Sequence, residues 1–87
     1  FEVNILMNSD KKKEAIRKMD SLATREPENK KIYFYNIGVV YQGMDSVKLA
    51  KSYYERAISL DPDFYEANYN LGGIYYQKAK AIYAKIN

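Results

Sequence analysis

The sequence predicts an all-α fold, and three observations carry that prediction. Apolar residues recur at three- and four-residue steps along almost the whole chain. No stretch alternates apolar and polar residues with the two-residue period of a strand. The segment YNIGVVYQ at residues 35–42 returns as YNLGGIYY at residues 69–76, so one helical pattern is written twice, thirty-four residues apart.

Residues 1–8 read as the end of a helix that begins upstream. Ser9 or Asp10 then caps a second helix, because a short oxygen-bearing side chain accepts from the free N–H groups of a first turn. Ala15, Ile16, Met19, Leu22 and Ala23 form its apolar face. Pro27 disfavours helical angles at Glu26, which ends this helix near Arg25. The next helix runs from about Asn29 to Gln42, and Gly43 supplies the left-handed or open turn that stops it. Asp45 or Ser46 caps a further helix over residues 46–60, with Val47, Ala50, Tyr54, Ala57 and Ile58 inward, and Pro62 ends it. Asp63 stands three residues before Glu66, an aspartate form of the capping box. It opens a last helix of about six turns over residues 64–86. Leu71, Tyr75, Ala79, Ile82 and Ile86 make one stripe along it. The expected count is about five helices.

Composition narrows the function classes. Apolar residues are 47% of the chain and charged residues 29%, a globular balance, and no apolar run approaches the length that crosses a bilayer. No charged-then-apolar leader is visible, and the chain reads as a truncated segment of a longer protein. It has no cysteine and no histidine, which excludes a disulfide framework and the common zinc-site types. It also removes the residues that most often serve as general base or nucleophile. The serines have no plausible paired base, and the Gly72-Gly73 pair lies inside a helix rather than in a phosphate-binding loop. Asp61, Asp63 and Glu66 cluster at a helix–helix turn, where capping accounts for them. No enzyme activity, cofactor or metal is expected. The net charge of +3 is spread over solvated helix faces, not gathered into the dense one-sided patch of a nucleic-acid binder.

The repeated segment has a recognisable frame. Phe34, Ile37, Gly38, Tyr41, Ala50, Tyr54, Ala57 and Pro62 resemble the tetratricopeptide (TPR) signature in its thirty-four-residue period. Residues 31–64 match one full repeat. Residues 65–78 match a first half through Leu71, Gly72 and Tyr75, with Asn68 where an aromatic is usual. Residues 10–27 match a second half, since Ala15, Met19 and Pro27 keep the spacing of Ala50, Tyr54 and Pro62. The phase slips by one residue between Pro27 and Phe34. The resemblance implies antiparallel helix pairs stacked into a right-handed α-solenoid, here about two and a half repeats. It makes residues 1–8 the end of a truncated first helix, and residues 65–87 an extended first helix of a further repeat. Gly38 costs about 1 kcal/mol against alanine in a helix interior. The expected reason is close approach to Ala50, with Tyr41, Tyr54 and Phe34 filling the surroundings.

The resemblance also implies a non-catalytic role in protein–protein interaction. In its frame the concave groove falls on Ile32, Tyr35, Asn36, Val39 and Gln42, then on Glu66, Tyr69, Asn70, Gly73, Tyr76 and Gln77. Amides that both donate and accept suit a peptide backbone, and tyrosine supplies large, stiff contact area. The expected partner is a protein, as a peptide or a helix. Some members of the family grip a C-terminal carboxylate with a Lys/Asn/Asn/Lys/Arg clamp. Asn36 and Asn4 could stand for its asparagines, but Glu66 and Asn70 occupy positions that should be cationic, which argues against that clamp. The ten tyrosines also raise base stacking on single-stranded RNA. Tyr41, Tyr54 and Tyr75 are core positions in the frame, so no nucleic acid is expected. An architectural spacer is the alternative from another class. A stack cut at both ends exposes apolar faces, which predicts self-association.

Overall fold

Proline and turn chemistry divide the chain into four α-helices: α1 (Glu2–Arg25), α2 (Lys30–Gly43), α3 (Val47–Leu60) and α4 (Tyr65–Ile86). A 3-10 turn, Pro27–Asn29, links the first two. The computed structural model describes the backbone of residues 2–86 and the side chains of residues 10–86. Phe1, Asn87 and the side chains of Asn4 and Ser9 lie outside the described residues. No strand occurs among the described residues, and α2, α3 and α4 begin and end within a residue or so of the expected bounds.

The break expected between residues 8 and 10 is not in the backbone, where α1 is one helix of 24 residues. Ser and Asp prefer a cap, but inside a helix they cost only a few tenths of a kcal/mol each. Neither is a breaker such as Gly or Pro, and good helix formers follow them as KKKEAI. The α-helices therefore number four among the described residues, not about five. At the other end of α1 the expected stop holds, and the Glu26 N–H donates to the Leu22 carbonyl at 2.7 Å before the chain turns.

Two turns close differently from expectation. Gly43 is still helical, and the left-handed residue is Asp45, at φ 60°. Aspartate tolerates that region better than most side chains. The Ser46 N–H returns to the Tyr41 carbonyl at 2.9 Å, so this one left-handed residue closes the turn. Ser46 stands at the N-cap of α3, but its hydroxyl makes no capping bond. Before α4 it is Asp61, not Asp63, that shapes the turn: its carboxylate accepts the Asp63 N–H at 3.1 Å. The Phe64 carbonyl accepts the Asn68 N–H, which starts the helix one residue later than an Asp63 cap would.

Asp61 also accepts from the Lys31 ammonium at 2.6 Å, tying the start of α2 to the end of α3. This bond, helped by the Asp63 N–H, holds the Asp61 carboxyl below its usual pKa. A carboxyl depressed on folding adds stability above its unfolded pKa and loses it as the pH falls through the folded value. Asp61→Asn is therefore expected to lower the melting temperature at neutral pH. The difference should fade as the pH falls below the ordinary carboxylate range. Melting curves that stay equally separated from pH 7 to pH 3 count against this account.

Each helix packs on its neighbours in the chain: α1 on α2, α2 on α3, α3 on α4. The short links fold each helix back along the previous one. The stack measures 49 × 41 × 15 Å. A helix with side chains is about 10 Å across, so the stack is thin and its core lies in the seams between packed helices. Ile16 and Ala23 on α1, Ile37 on α2, Ala50, Tyr54 and Ala57 on α3, and Ala67 and Ile74 on α4 are buried. Val47, expected inward, is exposed.

Gly38 behaves largely as the pattern implies, with one change of partner. A Cβ there would lie 2.6 Å from Tyr54 Cε1 and 3.2 Å from the Ala50 carbonyl oxygen. The missing side chain makes room first for the Tyr54 ring and only then for Ala50. Gly72 is its counterpart one period later, and a Cβ there meets nothing within 4 Å.

Tyr41 rests on Tyr53, with ring centroids 5.7 Å apart. Its counterpart Tyr75 was expected in the core but is 45% exposed. No second helix of that repeat follows within the described residues, and α4 simply runs on.

Candidate functional site

Helical spacing puts the expected groove residues of α2 on one face of that helix and those of α4 on one face of theirs. Ile32, Asn36, Val39 and Gln42 are exposed on α2, as are Glu66, Tyr69, Gly73, Tyr76 and Gln77 on α4. Tyr35 and Asn70 are half-buried. Five of the eleven meet in one open depression of about 460 Å³: Gln42, Tyr69, Asn70, Gly73 and Tyr76. Asn68 and Gly72 complete its lining. The remaining six, Ile32, Tyr35, Asn36, Val39, Glu66 and Gln77, do not line it.

The floor is organised by a buried phenol. The Tyr54 hydroxyl, from α3, donates to Gln42 Oε1 at 2.6 Å. It accepts from Asn70 Nδ2 at 3.2 Å. Burial raises the Tyr54 pKa, and the Asn70 bond opposes that rise. The phenol therefore stays protonated and keeps its proton for Gln42. One side chain thus orients an amide from α2 and an amide from α4. The Gln42 amide NH₂ and the Asn70 carbonyl remain for another partner.

Tyr35 is drawn into this support. Its ring lies 5.9 Å from Tyr54 and 5.3 Å from Phe64 between centroids. Its hydroxyl oxygen accepts from Asn70 Nδ2 at 3.5 Å. Tyr35 therefore belongs mainly to the packing, where sequence reasoning expected a free contact surface. Tyr69 and Tyr76 are the open aromatics, 70% and 65% exposed. Tyr65 stacks on Tyr69, with centroids 6.0 Å apart and planes 25° from parallel, and steadies it.

Sequence reasoning missed Asn68 and the phenol of Tyr54. Asn68 was visible as a departure, an amide where the frame has an aromatic. Its Nδ2 donates to the carbonyls of Pro62 and Phe64 at 2.9 and 3.0 Å, so it fastens the α3–α4 turn beside the depression. The role of the Tyr54 hydroxyl had no signal, because the repeat frame records only a large residue there.

The comparisons agree with this architecture. The model for the tetratricopeptide repeat matches residues 33–64. An uncharacterized protein, ycf37 of Porphyra purpurea, is 43% identical over 68 residues, which covers 69% of this chain and 39% of that protein. The chain thus spans about two fifths of the relative it matches. No solved structure matches it. No described helix is long and apolar enough to cross a membrane. TPR repeats generally mediate protein–protein interaction and are typically non-catalytic. Residues 33–64 are a tetratricopeptide repeat within an all-α helical-repeat chain.

Proposed function

We propose that this chain is a protein-interaction module that holds an extended peptide in the depression between α2 and α4. The observation that supports this most directly is the pairing of functions across the depression. Two exposed tyrosines, Tyr69 and Tyr76, offer rigid contact area at low entropic cost. Two amides, Gln42 and Asn70, are already oriented by the Tyr54 hydroxyl. An amide donor and an amide acceptor fit the C=O and N–H of a peptide backbone. Their fixed orientation lowers the cost of ordering on binding. The mechanism is non-covalent throughout.

The test is selection of twelve-residue peptides on the parent chain from a random library, followed by titration of the selected peptides. Tyr69→Ala and Tyr76→Ala are expected to weaken them at least tenfold, about 1.4 kcal/mol, with the helical circular dichroism unchanged. Tyr35 and Asn70 are poor choices for this purpose, since both also support the fold. Selected peptides that bind equally well to both tyrosine variants would refute the reading.

A further inference from the structure

The repeated motif places two glycines in one frame, and the structure gives them opposite surroundings. Gly38 is filled by the Tyr54 ring of the helix packed on it, whereas Gly72 faces open space. The 100° step per residue sets Gly72, Tyr75, Ala79, Ile82 and Ile86 within a strip about 80° wide. Tyr75 is 45% exposed, Ile82 59% and Ile86 76%. This strip turns away from the buried residues Ala67 and Ile74. It is a different surface from the peptide depression, which it meets only at Gly72. The strip repeats on α4 what α2 offers to α3: a glycine notch followed one turn later by tyrosine.

The charges beside the strip select an occupant. Lys78 and Lys85 follow one edge at helical spacing, and the Lys51 ammonium of α3 lies 5.1 Å from the Tyr75 ring centroid. Lys80 stands beyond the other edge. The one carboxylate on α4 is Glu66, in its first turn. A second copy of this chain is a poor match through its α1, whose exposed side is net basic, with Lys11, Lys12, Lys13, Arg17, Lys18 and Arg25 against Asp10, Glu14 and Asp20.

We infer that the Gly72–Ile86 strip docks a partner's amphipathic helix that seats an aromatic ring on Gly72 and carries acidic residues along its flanks. The helix α3 supplies the seam: Ala50, Tyr54 and Ala57, at i, i+4 and i+7, are what fits a glycine notch of this kind. The acidic flanks follow from the lysines.

The probes are two synthetic helical peptides with one Ala-x3-Tyr-x2-Ala seam, flanked by glutamates in one and by lysines in the other. Fluorescence anisotropy at low salt is expected to show the glutamate peptide binding at least tenfold tighter, with the gap narrowing as salt is added. Gly72→Leu should weaken it at least tenfold without loss of helicity, since a Cβ at Gly72 meets nothing within 4 Å. Ile82→Gln, which removes apolar contact without changing charge at an exposed position, is a second variant expected to do the same. Equal binding of the two peptides, or binding indifferent to both substitutions, overturns the inference. So does a sedimenting dimer of the chain alone that Gly72→Leu dissociates, which would assign the strip to a second copy. Tyr69→Ala, which probes the peptide depression, is expected to leave the glutamate peptide bound, and the Ile82 variant, outside that depression, is expected to leave the peptides of the depression bound, so the two surfaces fail separately.

Discussion

Tyr54→Ala is expected to cost about 3–5 kcal/mol, the range for removing a buried aromatic ring from a packed core. Chains of this length have total stabilities of about 4–13 kcal/mol, so the variant should sit near the edge of folding. The residue is wholly buried and shares a cluster with Ala50 and Ile74, with Tyr35, Tyr41 and Leu71 packed around it. Removing the ring empties a place where α2, α3 and α4 all meet. It also leaves Gln42 and Asn70 without their common partner. Tyr54→Phe keeps the ring and removes only the hydroxyl, at about 0.5–1.5 kcal/mol. Urea unfolding followed by far-ultraviolet circular dichroism measures both. Equal costs for the two substitutions would show that the hydroxyl, and not the ring, holds the stack.

The second large effect is a pair of opposite signs. Gly38→Ala is expected to destabilise by about 1–3 kcal/mol, the usual cost of overpacking, even after the better helix propensity of alanine is counted. The added methyl would stand 2.6 Å from a ring that is fully buried, and 3.2 Å from the Ala50 backbone oxygen. Neither can move aside cheaply. Gly72→Ala has no such neighbour and should raise stability by up to about 1 kcal/mol, the helix-interior preference for alanine. For a domain of this size each kcal/mol is roughly 4–8 °C in melting temperature, so calorimetry separates the two. A loss of stability in Gly72→Ala would mean that the glycine is needed within the chain itself.

These glycines show how far the sequence could be read. The repeat frame located α2, α3 and the start of α4, because Gly38, Ala50, Tyr54 and Pro62 have few alternatives once the period is seen. It did not separate a filled notch from an open one, since that depends on whether a helix lies opposite. The stripe Leu71, Tyr75, Ala79, Ile82 and Ile86 looked like a core face for the same reason: apolar spacing marks a face but not the presence of a partner. Local chemistry misled at Ser9–Asp10 and at Gly43, where residues that favour caps and turns stay helical because their neighbours permit it. At the candidate site, spacing found Tyr69 and Tyr76. It could not show that Tyr35 would be absorbed by Tyr54 and Phe64, a contact between different helices.

The pairing of each helix mainly with the next one in the chain also bears on how the molecule comes together. The α2–α3 contacts close a short loop, so little chain entropy is lost before the first helix pair is rewarded. Assembly can begin at the α2–α3 hairpin and spread outward in either direction, each added helix packing mainly on its neighbour in the chain. The same logic runs in reverse. α1, which holds no part of the Tyr54 cluster, can detach before the α2–α4 unit that Tyr54 clasps.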